Sequence, residues 1–124
     1  MGRVYYNKLV RDHIKEKIQG KGELCEVREI TDQQEYRQEL AKKIVEEAYG
    51  LAYTRNRAEF LQEYADLMVV LDALTAELEI SEAELQVALS ESVEKKGLYK
   101  KRHFLHWSSD ETYVSDETPQ GLKD

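Results

Sequence analysis

Four acidic residues have types and spacings that suit a metal-binding cluster. Glu46 and Glu47 are adjacent in the segment KKIVEEAYGLAY, and Glu63 and Asp66 lie three apart in the segment EYADLMVVLDAL. Residues three, four or seven apart share a helical face, so Glu47, Glu63 and Asp66 should each border the apolar stripe of a helix. Glu46 should point about 100° away from Glu47 around the same helix.

Carboxylates at the edge of an apolar interior need a compensating charge. An ionised carboxylate there costs free energy unless a cation or a hydrogen-bond network stabilises it. Glu63 and Asp66 have few basic residues at helical spacing. A hard divalent cation prefers oxygen ligands, so we predict Mg²⁺ as the cofactor, with Mn²⁺ as the alternative ion. One acidic pair alone is usually solvated surface, but two such pairs on successive helices favour a metal site.

Capping signals divide the chain into four predicted helices. The first is expected from Asn7 to Gly20, and the second from Asp32 to about Tyr53. Asn56 with Glu59, and then Ser81 with Glu84, have the spacing of capping boxes. They open a third helix that runs to about Leu78 and a fourth that stops at Gly97.

The rest of the chain is predicted to be irregular or extended. Short extended segments are expected near 23–30 and 101–107. The segment LMVVL in the third helix is apolar all round, which places it either at the centre of the bundle or at a subunit interface. We predict an all-α domain over residues 1–107, followed by an acidic, mobile tail over 108–124.

Composition limits the classes of function. The chain has 124 residues, which suits one domain. Charged residues make up 35% of it, and it has six glycines and one proline, a composition that suits an α-rich protein. A net charge of −7 argues against a general nucleic-acid binder. The single cysteine, Cys25, excludes an internal disulfide, and neither a signal peptide nor a membrane span is recognisable. A cytoplasmic location, with no membrane partner, is therefore expected.

Four segments together resemble the MazG-like superfamily of all-α nucleoside triphosphate pyrophosphohydrolases. They are YNKLVRDHI, KIVEEAYGL, EYADLMVVLDAL and EKKGLYKKRHFL, and they span about residues 5–105. The similarity is greatest to short members that begin with a KLVRDKI-type segment, the phosphoribosyl-ATP pyrophosphohydrolase-like group. The resemblance implies a four-helix bundle that forms a homodimer or homotetramer. It also implies Mg²⁺-dependent cleavage of a nucleotide between its α- and β-phosphates, which releases a monophosphate and pyrophosphate.

The metal-binding signature of this superfamily is E-x-x-E, a spacer and E-x-x-D. Glu63 and Asp66 match its second half, and Glu47 matches the first position of its first half. Residue 50, where a glutamate is expected, is Gly50. Either Glu46 or water completes the metal shell, or the site is weakened and the chain is a catalytically silent nucleotide-binding or regulatory bundle. We favour the active enzyme; a purely structural dimerisation module is a third hypothesis.

Hydrolysis would need a general base and residues that hold the phosphates. Glu46 and Glu47 are the candidate bases, and the sequence does not choose between them. Asp12 either orients Arg11 or contacts ligand hydroxyls, and Asp72 either pairs with a basic residue or contacts substrate or metal. A lysine at the end of a helix also interacts favourably with the helix dipole. The predicted substrate-binding residues are Lys8, Arg11, Asp12, Asp72, Lys96, Lys100 and Arg102.

Overall fold

Four α-helices follow one another in residues 2–113, which are the residues that the computed structural model describes. They are α1 (Ile14–Gly20), α2 (Gln33–Ala52), α3 (Arg57–Glu77) and α4 (Glu82–Lys96). No strand occurs in this range, so the all-α prediction is confirmed. The segments 23–30 and 101–107 form no strand, because their backbone N–H and C=O groups make no ladder of hydrogen bonds with another described segment.

The starts of α2, α3 and α4 are set by the predicted caps. The Asp32 carboxylate accepts a hydrogen bond from the Glu35 N–H at 2.8 Å, and the Asn56 side chain accepts one from the Glu59 N–H at 2.9 Å. Ser81 and Glu84 form a reciprocal capping box, in which each side chain accepts from the backbone N–H of the other at 3.2 and 2.7 Å. Each bond satisfies a donor that the first helical turn would otherwise leave unpaired.

Replacing Asn56 by alanine should lower the free energy of unfolding by about 1 kcal/mol, because alanine cannot accept the hydrogen bond from Glu59. Urea denaturation followed by circular dichroism measures the change. Gln38→Ala, at an exposed position inside α2, serves as the control and should change stability much less. Equal effects of the two substitutions would contradict the assigned cap.

The predicted start of α1 is wrong. This helix begins at Ile14 rather than near Asn7, and it has only seven residues. Asn7 has a φ of +47°, a left-handed conformation that cannot continue into a right-handed helix. His13 occupies the N-cap position without a side-chain cap bond. Residues 2–12 are therefore an irregular segment that leads into α1.

Residues up to Leu85 form one compact unit, and in it α2 packs against α3 as a helical hairpin. The loop between the two helices is only residues 53–56, which makes them antiparallel neighbours. Leu40 on α2 and Val70 on α3 are the buried core residues of the described chain, at 2% and 7% exposure. The hairpin is the element that positions the acidic residues.

The apolar segment of α3 is covered on one side only. Val70 is buried, and Leu67 and Leu71 beside it are half-buried, but Met68 and Val69 are exposed at 37% and 42%. The sequence predicted that this segment lies either at the centre of a bundle or at a subunit interface. Met68 and Val69 are not fully covered by any part of the described chain. None of the four helices in residues 2–113 has both the length and the hydrophobicity to cross a bilayer.

A second unit begins at Gln86 and includes most of α4. This helix contains no buried residue, and it ends at Gly97, whose φ of +79° is the left-handed conformation typical of a helix end. Residues 108–113 of the predicted acidic tail consist of bends, turns and irregular structure. Residues 114–124, the remainder of that tail, lie outside the described residues.

Candidate metal centre

The helical hairpin brings three of the predicted metal ligands together. Glu47 on α2, and Glu63 and Asp66 on α3, each offer a carboxylate oxygen within 4.8 Å of the other two. All three residues are half-buried. Glu63 and Asp66 lie on one face of α3 because they are three residues apart, and the antiparallel packing turns Glu47 towards them. Three carboxylate oxygens are the type of ligand that a hard divalent cation such as Mg²⁺ or Mn²⁺ prefers, and water would have to supply the remaining ligands.

Gly50 gives Glu63 its place in this cluster. A Cβ atom at residue 50 would lie 2.9 Å from the Oε2 atom of Glu63, closer than real Cβ atoms come to an oxygen. The carboxylate of Glu63 on α3 therefore packs directly against Gly50 on α2, in space that a side chain at residue 50 would fill.

Glu46 is not one of the three clustered carboxylates. Its Oε1 atom accepts a hydrogen bond from Lys8 Nζ at 2.7 Å, and its Oε2 atom accepts one from Lys43 Nζ at 2.8 Å. The hydrogen bonds from Lys43 and Lys8 lower the pKa of Glu46. A carboxylate with both oxygens held by lysines and a lowered pKa is a poor proton acceptor, so the predicted roles of Glu46 as ligand and base have less support than those of Glu47.

Glu47 has the opposite electrostatic environment. Burial is the largest cause that raises its pKa, and the negative charges of Asp66, Glu63 and Glu46 raise it further. Lys43 Nζ, 3.9 Å from Glu47 Oε1, opposes this by lowering the pKa. Burial, with smaller contributions from the neighbouring negative charges, thus disfavours the ionised form of Glu47, and a cation at the cluster would offset both effects.

Glu47→Gln should raise the free energy of unfolding at pH 7 in the presence of a chelator. Because the pKa of Glu47 is higher in the folded state than in the unfolded state, ionisation of Glu47 destabilises the fold. The stability contributed by the protonated form is fully present below the unfolded pKa and is lost as the pH rises through the folded pKa. The gain should therefore vanish towards acid pH, where Glu47 is protonated. Urea denaturation as a function of pH measures it.

Glu46→Gln is the matched control, and it should have the opposite sign. The pKa of Glu46 is lowered, so its charge stabilises the fold above the unfolded pKa and loses this effect as the pH falls. Glu46→Gln should accordingly lower stability at pH 7. Changes of the same sign in the two variants would contradict the electrostatic assignment.

The irregular N-terminal segment brings two predicted phosphate-binding residues to acidic side chains of the hairpin, and of the two it is Arg11 that contacts the cluster. Lys8 contacts Glu46 as described, and this hydrogen bond raises the pKa of Lys8. Arg11 Nη1 donates to Asp66 Oδ1 at 3.1 Å. Asp12, in contrast, is exposed and has no hydrogen bond or ion pair within residues 2–113, so it does not orient Arg11 in this structure.

A shallow cleft of about 360 Å³ adjoins the acidic cluster. It shares Glu63 with the cluster, is also lined by Gly50, and extends towards the loop between α2 and α3. The Arg55 side chain in its wall is held by Glu59, with Nη2 and Oε1 2.9 Å apart. The other residues in its wall are Tyr53, Thr54 and Gln62. The volume lies within the range of small-molecule sites.

The remaining predicted substrate-binding residues are not part of this cluster. Asp72 is exposed, and its carboxylate has no partner in the described chain, although its backbone carbonyl accepts a hydrogen bond from Thr75. Lys96, Lys100 and Arg102 belong to the second unit, where they are exposed and form no ion pair with any described residue. Their assigned roles stay predictions.

The contacts of Lys43 with Glu46 and Glu47 were not predicted from the sequence. Lys43 Nζ lies 2.8 Å from Glu46 and 3.9 Å from Glu47, and its side chain is mostly buried. The signal was present, because Lys43 precedes these glutamates by three and four residues, the spacing of neighbours on a helix. Gln62 in the cleft carried no recognisable signal.

Comparisons with known proteins leave the chain without an identified relative. No protein-family model, no curated protein and no solved structure matches it. The assignment of a function therefore depends on the geometry of the three carboxylates and on the residues around them.

Proposed function

We propose that this chain is a cytoplasmic Mg²⁺-dependent nucleotide pyrophosphohydrolase with a MazG-like arrangement of its helices. The observation that carries the proposal is the convergence of Glu47, Glu63 and Asp66, from two helices, to within 4.8 Å. Exposed acidic side chains repel one another and normally separate in solvent. Their approach at a half-buried position is what a site for a divalent cation requires.

Glu47, Glu63 and Asp66 would hold the cation. When bound, Mg²⁺ polarises phosphoryl oxygens and lowers the pKa of a coordinated water. Glu47 is the better candidate for the general base, because both carboxylate oxygens of Glu46 accept hydrogen bonds from lysines whereas those of Glu47 accept none in the described chain. In this role Glu47 would accept a proton from the attacking water.

The reaction would consume one water and one nucleoside triphosphate or related nucleotide. The oxygen of water forms a bond to the α-phosphorus. The α–β anhydride bond breaks, and pyrophosphate leaves with the electron pair of that bond. The water proton that Glu47 accepts is released to solvent after the products depart. No covalent enzyme intermediate is needed.

Basic residues and the adjoining cleft would hold the substrate. Lys8 and Arg11 already lie at the edge of the cluster, where the phosphates would bind. The cleft beyond Glu63 has space for the nucleoside, and Tyr53 and Gln62 offer a ring and an amide for contacts with it. Lys96, Lys100, Arg102, Asp12 and Asp72 are proposed as further contacts.

The proposal is tested by incubating the purified protein with a panel of canonical and modified nucleoside triphosphates and Mg²⁺. Monophosphate and pyrophosphate should form in equal amounts, and a chelator should stop the reaction. Release of inorganic phosphate without pyrophosphate would indicate a different reaction. Absence of product from every nucleotide would favour the second candidate below.

A catalytically silent nucleotide-binding or regulatory bundle is the second candidate. Gly50 is the observation that favours it, because the residue removes one carboxylate from the superfamily signature. Such a protein would bind a nucleotide without converting it. Isothermal titration with a non-hydrolysable triphosphate, alongside the product assay, separates binding with turnover from binding alone.

We further propose that the chain forms a homodimer or homotetramer. Exposed Met68 and Val69 adjoin the buried Val70 on α3, and a second copy of the hairpin would cover them. Sedimentation equilibrium should give a mass that is two or four times the 14.5 kDa of one chain. A single species at the mass of one chain would contradict this proposal without affecting the metal site.

A further inference from the structure

We propose that Arg11 is a built-in counter-ion of the acidic cluster, which is displaced from Asp66 when the divalent cation binds and then holds the substrate's phosphates. This inference rests on the proposed function and deepens it, since it assigns Arg11 two successive partners in the same site. In this role Arg11 weakens cation binding and strengthens phosphate binding.

The guanidinium group of Arg11 contacts the acidic cluster directly. Arg11 Nη1 lies 3.1 Å from the Oδ1 atom of Asp66, and Asp66 is one of the three clustered carboxylates. Lys8 is different, because it binds Glu46, which lies outside that group. Arg11 is therefore the residue of the N-terminal segment that competes directly with a cation for a ligand.

Arg11 is exposed and lies in an irregular segment, whereas Lys43, the other cation near the cluster, is mostly buried within α2. Lys43 lies within α2, and only 16% of its side chain is exposed. Arg11 belongs to an irregular segment, and 60% of its side chain is exposed. Its planar fork of N–H donors also matches phosphate oxygens, for which arginine is well suited.

The net charge of the site changes sign when a divalent cation binds. Four carboxylates, on Glu46, Glu47, Glu63 and Asp66, face three cations, on Lys8, Arg11 and Lys43. The site is thus close to neutral, with one excess negative charge. Binding of a divalent cation changes the net charge of the site to plus one. The cation then replaces Arg11 as the partner of Asp66, and the guanidinium group becomes available to bind an incoming polyanion.

The test compares two binding constants of Arg11→Gln with those of the unmodified chain. Mn²⁺ binding without nucleotide, measured by electron paramagnetic resonance at low salt, should become about two- to fivefold tighter, because a competing surface charge is removed. Inorganic tripolyphosphate binding in saturating Mn²⁺, measured by titration calorimetry, should become about tenfold weaker, because charge-assisted hydrogen bonds to phosphate are lost.

Arg28→Gln is the matched control, since Arg28 also pairs with a glutamate, Glu35, in an exposed ion pair away from the cluster. It should change neither constant. Arg11→Lys should retain much of the competition with Mn²⁺ but bind tripolyphosphate less tightly, because lysine lacks the fork.

Opposite changes in the two constants of Arg11→Gln support the proposal. Weaker Mn²⁺ binding would overturn it, because Arg11 would then position Asp66 for the cation instead of competing with it. Unchanged constants would also overturn it, since Arg11 would then be a solvated surface residue. If the unmodified chain bound no Mn²⁺ at all, the proposed function itself would fail, so the two failures are distinguishable.

Discussion

Replacing Glu63 by glutamine should weaken Mn²⁺ binding by about 100-fold and abolish measurable pyrophosphate release. Glu63 is central to the candidate site, because it lies near both Glu47 and Asp66 and packs beside Gly50. Within residues 2–113 its carboxylate has no hydrogen bond or ion pair, so no structural role of that kind is lost in the variant. Glutamine keeps the shape of the side chain and removes the charge.

The size of the effect follows from the part that Glu63 plays. Residues that only support a metal ligand already change affinity or activity by about 10- to 100-fold when they are replaced. The loss of a ligand should lie at or above the upper end of that range. Calorimetric titration with Mn²⁺ and the pyrophosphate assay measure the two effects.

Glu91→Gln is the matched control for Glu63→Gln. Glu91 is an exposed glutamate of α4 with no partner in the described chain, so its replacement changes the net charge equally without touching the cluster. Both variants should keep the helical circular dichroism spectrum. If Glu63→Gln retained the Mn²⁺ affinity of the Glu91 control, Glu63 would not be a ligand.

Gly50→Ala should stabilise the fold and at the same time weaken Mn²⁺ binding severalfold. Alanine within a helix is about 1 kcal/mol more stable than glycine. The new methyl group, however, would lie 2.9 Å from Glu63 Oε2, so the flexible end of Glu63 must move away from its place in the cluster. The two effects have opposite signs because they act through different atoms.

Urea denaturation and Mn²⁺ titration of the same Gly50→Ala preparation give the two quantities. Ala41→Gly, at an exposed position of α2, is the control for helix propensity. It should lower stability by about 1 kcal/mol and leave Mn²⁺ affinity unchanged. Tighter Mn²⁺ binding by Gly50→Ala would show that Glu63 does not need the space beside residue 50.

The sequence was most informative where local chemistry decides structure. Caps at Asp32, Asn56 and Ser81 are formed by residues within three positions of each other, so their hydrogen bonds could be predicted without knowledge of the tertiary fold. The convergence of Glu47 with Glu63 and Asp66 was also predictable, because short connections make successive helices neighbours.

The N-terminal segment could not be predicted in the same way. An apolar pattern and a capping residue at Asn7 favoured a helix, but Asn7 adopts a left-handed conformation, and Lys8 and Arg11 contact residues 38 and 55 positions away. Such contacts are decided by tertiary packing, which local propensity does not contain. For the same reason the contact of Glu46 with Lys8 could not be predicted, whereas its contact with Lys43 has ordinary helical spacing.

The most direct test of the central claim is the location of Mn²⁺ by anomalous diffraction from a crystal soaked in the ion. We predict one Mn²⁺ per chain, coordinated directly by oxygens of Glu47, Glu63 and Asp66, with water in the remaining positions. An absence of Mn²⁺ among these three carboxylates in a fully soaked crystal would contradict it.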